Sequence, residues 1–124
     1  MTRRGARPSA KQRAPAPGTT ERLTVAGLDR LIEEATVDAY DEAEQRLGFY
    51  TMMENDLGLP FATVVLGVEV TVERIDLTEA DEIVAVCTRG RARQLVSIVE
   101  LPLPVPPPRG AEWIEAYRHW RGEG

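Results

Sequence analysis

The ten residues Val68 to Leu77, "VEVTVERIDL", change phase halfway along. Val68, Val70 and Val72 alternate with Glu69, Thr71 and Glu73, the period-two pattern of a strand with one buried face. The apolar positions then fall on Ile75 and Leu77, one residue out of step. A regular strand would turn that second set towards solvent. An extra residue in a bulge or sharp bend at Glu73–Arg74 brings it back to the core face. The stretch therefore predicts a bent strand, and with it a small, strongly curved sheet.

Neighbouring segments extend the sheet on both sides. "ATVVLG" (62–67) reads as a short apolar strand, and "LTEADE" (77–82) as a turn. "IVAVCT" (83–88) is apolar on both faces, as a central strand would be. "RGRAR" (89–93) is a hairpin loop with Gly90 at its tip, and "QLVSIVEL" (94–101) is the next strand. Short sequential strands over 61–103 predict a small curved antiparallel sheet or a partly open SH3-like barrel.

Helices flank the sheet. Leu28, Leu31, Ile32 and Ala35 recur at helical spacing after a start near Thr24 to Gly27, with Asp29, Glu33 and Glu34 on the other side. Asp38 to Asp56 follows as a second helical segment. Its stripe is Ala43, Leu47, Tyr50 and Met53 or Glu54, with Ala39 and Tyr40 leading in. Gly48 weakens this segment by up to about 1 kcal/mol and marks a point where it can break. Gly58 and Pro60 end it. "PLPVPPPRG" (102–110) is a stiff extended connector. Beyond it, Trp113, Ile114, Tyr117 and Trp120 form the apolar stripe of a terminal helix over 110–121, read as anchors onto the sheet. Glu112 and Glu115 towards its start, and Arg118, His119 and Arg121 at its end, complement the helix dipole. The expected class is α+β: helices within 24–57, a sheet at 61–103 and a C-terminal helix, in one domain spanning 23–124.

Charge divides the chain. Residues 1–22 carry six basic groups and one acid, and 23–124 carry nine basic and nineteen acidic groups. The first segment, rich in Pro, Ala and Arg and poor in large apolar side chains, reads as a disordered basic tail. The acidic body repels phosphate, so nucleic acid is disfavoured as a partner except through the tail. A divalent cation or a basic partner suits it better. The chain has no apolar run long enough to span a membrane and no visible secretory h-region. It has a single cysteine, Cys87, which excludes an internal disulfide and a cysteine-based zinc site. A cytoplasmic protein of a GC-rich bacterial genome is expected, since Lys11 is the only lysine among many Arg, Ala, Pro and Gly.

The acids crowd in one place. "DAYDEAEQRLGF" (38–49) holds Asp38, Asp41, Glu42 and Glu44 against Arg46 alone. On a continuous helix, Asp38, Asp41 and Glu42 would share one face, where like charges repel by a few tenths of a kcal/mol per pair, on the order of the usual helix-pair energies. An acidic run is most often a solvated helix face. Where it does hold an ion, oxygen-only donors select a hard cation, and several carboxylates in flexible geometry favour Ca²⁺ over Mg²⁺. An EF-hand is excluded. Counted from Asp38, the third, sixth and twelfth positions are Tyr40, Ala43 and Phe49, where that loop needs an oxygen donor, a glycine and a glutamate. A site here must combine helix carboxylates with a second segment. Glu54 or Asp56 are candidates, as are Asp76, Asp81 or Glu82 on the turn and Glu100 on the last strand.

Four segments together carry a resemblance: "DAYDEAEQRLGFYTMMENDLGLPFATVVLG", "VEVTVERIDL", "IVAVCTRGRARQLVSIVELPLP" and "GAEWIEAYRHW". Over roughly residues 36–121 they resemble the bacterial calcium-binding family typified by the cyanobacterial CcbP. The resemblance implies calcium bound at an acidic surface without an EF-hand, in a protein that buffers or senses intracellular calcium. Asp38, Asp41, Glu42 and Glu44 occupy the family's acidic segment, and Glu54 is the further candidate metal ligand.

The alternative is a small β-barrel protein-interaction module with no metal, docking a peptide at a sheet edge or through Arg89, Arg91 and Arg93. An enzyme is not expected. One His, one Cys and the two serines Ser9 and Ser97 offer little material for a nucleophile–base pair.

Overall fold

A computed structural model describes residues 24–122. The expected basic tail lies outside the described residues. Thr24 caps the first helix, α1 (Val25–Ala35), its hydroxyl accepting from the Gly27 amide at 2.9 Å. Leu28, Leu31 and Ile32 are half-buried and Ala35 is buried, as their spacing predicts. Helix α2 (Glu42–Asp56) leads to the strands β1 (Phe61–Val65), β2 (Val68–Leu77), β3 (Ile83–Arg89) and β4 (Ala92–Ser97), and α3 (Ala111–Trp120) closes the fold. The strands form an antiparallel meander in the order β1-β2-β3-β4, with β1 and β4 at its edges. Of the two forms expected, the open sheet is the one this order builds.

The phase change in β2 is a bulge. Val72 pairs with Cys87 and Arg74 with Val86, so Glu73 is the extra residue. Glu73 and Arg74 are both exposed, while Val70, Val72 and Ile75 are buried on one face. One unpaired residue thus keeps both halves of the strand on the core. Ile83 to Cys87 is buried throughout, which fits the central place of β3.

The bounds of the last strand and of α2 differ from expectation, and the hairpin turns on Gly90 and Arg91 alone, not on the loop expected over 89–93, because Arg89 already pairs with Ala92. The last strand runs from Ala92 to Ser97, and residues 98–100 turn away towards Leu101. Arg118 makes that turn. Its guanidinium donates to the Ile98 carbonyl at 2.9 and 3.2 Å and also to the Leu101 carbonyl. Those bonds leave Ile98 and Leu101 buried with their carbonyls paired. Burial pulls the Arg118 pKa down, and Glu115 partly offsets this.

The second correction concerns α2. Residues 38–41 are not helical, and the buried stripe is Phe49 and Met53 with Arg46, Tyr50 and Met52 half-buried. Ala43, Leu47 and Tyr40 are exposed. The stripe is misleading because a charged side chain occupies an inward position. Arg46 is only 15% exposed. Its Nε donates to Tyr117 Oη at 3.2 Å, its Nη2 to Glu42 at 3.2 Å, and its guanidinium lies 5.6 Å from the Trp120 ring centre. These partners compensate its desolvation. Phe49 packs beside them, 5.4 Å from Tyr117 and 5.3 Å from Trp120 between ring centres. The terminal aromatic stripe is core, as expected: Trp113, Ile114 and Tyr117 are buried.

The helix does not break at Gly48. It passes through, because the glycine lets α2 press against α1. A Cβ at Gly48 would lie 2.0 Å from the Ala35 carbonyl oxygen. Gly→Ala inside a helix ordinarily stabilises by about 1 kcal/mol. Gly48→Ala is expected to do the opposite and destabilise by about 1–3 kcal/mol, the usual range for overpacking. Urea unfolding of the two proteins measures the sign.

Candidate functional site

The crowded acids divide into two groups at opposite ends of α2. Asp38 lies in the turn after α1 with φ of +64°, and Asp41 is the N-cap of α2. An Asp41 carboxylate oxygen accepts from the Glu44 amide at 2.8 Å, and Glu44 Oε1 reaches back to accept from the Tyr40 amide at 2.7 Å. This is a capping box shifted by one residue, and it satisfies the Glu44 amide, which the helix leaves unpaired, and the Tyr40 amide just before the cap. Glu42 pairs with Arg46 one turn on. Two of the acids also sit in the first turn, where the helix dipole favours negative charge. The crowding is therefore less repulsive than on a mid-helix face. The expected single face of Asp38, Asp41 and Glu42 does not exist, because the chain turns at Asp38 and the helix starts only after Asp41.

Glu54 stands apart. Ten residues of helix separate it from Glu44, about 15 Å at the α-helical rise. It cannot share one ion with the acids at the helix start, since calcium–oxygen distances are about 2.3–2.6 Å. Its neighbour is Tyr50. β1 stops pairing with β2 at Val72, so the next part of that β2 edge is open there. Tyr50 Oη donates to the Ile75 carbonyl at 3.3 Å on β2. Burial pushes the Tyr50 phenol up to about 12, helped by hydrogen bonding to Glu54 and by the negative charges of Glu54 and Asp76, against a pull from Arg74. Glu54 and Asp76 thus bring negative charge to one phenol from a helix and a strand. Asp76 is among the second-segment candidates of the sequence, and Tyr50 is the residue it does not mark. Tyr50 reads as a core aromatic, and only the end of β1 reveals its polar end.

The other acids have structural partners. Asp56 accepts from the Trp113 indole at 2.8 Å and ties α2 to α3. Glu82 accepts from the Ser97 hydroxyl at 2.9 Å, and Asp29 lies 3.7 Å from His119. Among the described residues no three His, Cys, Asp or Glu side chains converge as a ready-made metal site. The donor chemistry fits a hard dication, because the exposed donors at the start of α2 are carboxylate oxygens. An ionised carboxylate offers about four lone-pair positions, and capping uses one of them. Cys87 is buried, and burial raises its thiol pKa, which makes it unreactive. Among the described residues no helix is long and apolar enough to cross a membrane.

Asp41→Ala is expected to cost about 1 kcal/mol, the usual value of an N-cap, and Asp41→Asn much less. Thermal unfolding of both variants separates the capping role from any role of the charge. Tyr50 gives a pH test. Its folded pKa lies above the ordinary value of about 10, so its contribution is complete below that pH. It is lost as pH rises towards 12, because the unfolded chain ionises first. The stability difference between the parent and Tyr50→Phe is expected to shrink across that window in urea titrations.

No curated protein and no solved structure matches the chain. A protein-family pattern described as calcium binding does match, over residues 29–121. That span takes in both groups of acids, the bulged strand, the arginine hairpin and the terminal aromatic helix. On this match, with the α+β architecture built as its segments imply, the chain belongs to the CcbP calcium-binding family.

Proposed function

We propose that the chain is a non-enzymatic, cytoplasmic calcium-binding protein that holds Ca²⁺ through surface carboxylates without an EF-hand. Membership of a calcium-binding family carries this proposal. The physical support is the net charge of -7 over residues 29–56, concentrated in exposed oxygen donors. Asp38, Asp41, Glu42 and Glu44 would hold the ion at the α1–α2 turn. Glu54 belongs to a second position with Asp76, where the Ile75 carbonyl already faces the Tyr50 hydroxyl. Bound calcium would neutralise the carboxylates and link segments that otherwise repel.

The protein supplies orientation at the turn. The cap fixes Asp41 and Glu44 with one oxygen engaged and Arg46 engages Glu42, while Asp38 is exposed and adjusts. A donor set that must gather around its ion loses conformational entropy on binding, so modest affinity follows. A change of the 36–41 turn on binding would mark a calcium sensor, and an unchanged turn a calcium buffer.

Calorimetric titration at physiological salt tests the proposal, with Mg²⁺ as the control. Calcium is expected to bind and raise Tm, by mass action on the folded state. Asp38→Asn and Glu42→Gln, which leave the cap intact, are each expected to weaken binding on the order of tenfold, in line with the dependence of affinity on ligand charge. Occupancy of the second position would lower the Tyr50 pKa from about 12. The absence of both heat and a Tm shift at millimolar calcium would refute the proposal.

A further inference from the structure

The sheet has an uncovered end. Its inner face is buried as far as Val70 and Cys87, but Val68 is 42% exposed, and Ala92 and Gln94 beyond it are also exposed. A groove of about 220 Å³ lies there between the β1–β2 and β3–β4 hairpins. Leu66 sits at its mouth, 94% exposed and with φ of +52°. A leucine is disfavoured there twice, since a left-handed turn position prefers Asn or Gly and an apolar side chain prefers burial. Such a local conflict is a mark of a working surface.

Three arginines collect at this end, on the same flank as Glu69 and Glu73 of β2. The described body is strongly acidic, yet Arg89, Arg91 and Arg93 gather on the β3–β4 hairpin. Arg89 donates only to the Glu69 backbone carbonyl, and Arg91 and Arg93 have no ion-pair partner among the described residues. Beside them runs β4, an edge strand with one row of backbone groups unpaired. Apolar groove, open edge and unpaired cations together describe a receptor for one kind of ligand.

We propose that this end of the sheet binds an extended acidic peptide segment of another protein. The segment adds along β4, lays its apolar side chains against Ala92 and Gln94 on the groove side, and sets its carboxylates against Arg91 and Arg93. Strand addition gives affinity through the main chain and selectivity through alternate side chains. The occupant is not this chain's basic segment before residue 23, whose six basic groups the arginines repel. A second copy docked edge to edge along β4 is the competing occupant, which sedimentation distinguishes. The proposal is independent of calcium.

Fluorescence anisotropy with two labelled ten-residue peptides tests it, one alternating Val with Asp and one alternating Val with Lys. The Asp peptide is expected to bind the full chain saturably and the Lys peptide not at all. The double variant Arg91→Ser, Arg93→Ser is expected to weaken the Asp peptide about tenfold, as two lost surface ion pairs would, and Ala92→Glu to abolish its binding. Calcium titration of the double variant is expected to match the parent, which keeps this result separate from that of the metal site. Equal binding of the two peptides, indifference to the double variant, or occupation of the face by a second copy in sedimentation would overturn the proposal.

Discussion

The position of α2 depends on one contact. Phe49 packs edge-on against Tyr117 and close to Trp120, while Gly48 on the same turn lets the Ala35 carbonyl come within a distance no side chain would allow. Burying aromatic surface of this kind stabilises by roughly 1.5–3 kcal/mol per side chain. The helix is thus gripped at its middle by α1 and α3, and its two ends point to different surroundings. Its N-terminus emerges with the capping acids into solvent, and its C-terminal half carries Tyr50 and Glu54 to the open edge of β2. A cluster that is continuous in sequence becomes two places in space.

Arg46 links that core to the acidic end. Its guanidinium is held by Tyr117, Trp120 and Glu42 at once. Glu42 is therefore the acid at the helix start whose charge is partly answered within the protein, and Asp38 is the one whose side chain has no hydrogen-bond partner among the described residues. A cation approaching this turn would find Asp38 without competition and the others half engaged. At the far end of the sheet three arginines gather on one hairpin, with Glu69 and Glu73 of β2 on the same flank but in no ion pair with them among the described residues. The molecule presents a negative end and a positive hairpin rather than an even surface.

The sheet was readable because its pattern has a single physical cause. The slip from Val72 to Ile75 can be absorbed only by an extra residue, and Glu73 is that residue. The α1 stripe and the terminal aromatic helix were readable for the same reason, since their apolar surfaces fall on one helical face and pack into the core. The phase of α2 was not, because Arg46 lies inward among aromatic rings contributed by a helix seventy residues away in sequence. Nor was the division of the acids. Asp41 is equally suited to ligate and to cap, and only the turn at Asp38 decides that it caps. The short final strand escaped because Arg118, far along the chain, supplies the donors that allow residues 98–101 to leave the sheet.

The central claim is that the acids at the start of α2 act together on one ion and do not merely attract a diffuse cloud. Side-chain carboxyl carbon shifts, followed by NMR as calcium is added, address it most directly. Asp38, Asp41, Glu42 and Glu44 should move together and saturate along one binding curve, while Asp29, Glu33 and Glu34 on α1 stay still. Small shifts shared by all of these acids, growing with calcium and never saturating, would contradict the account.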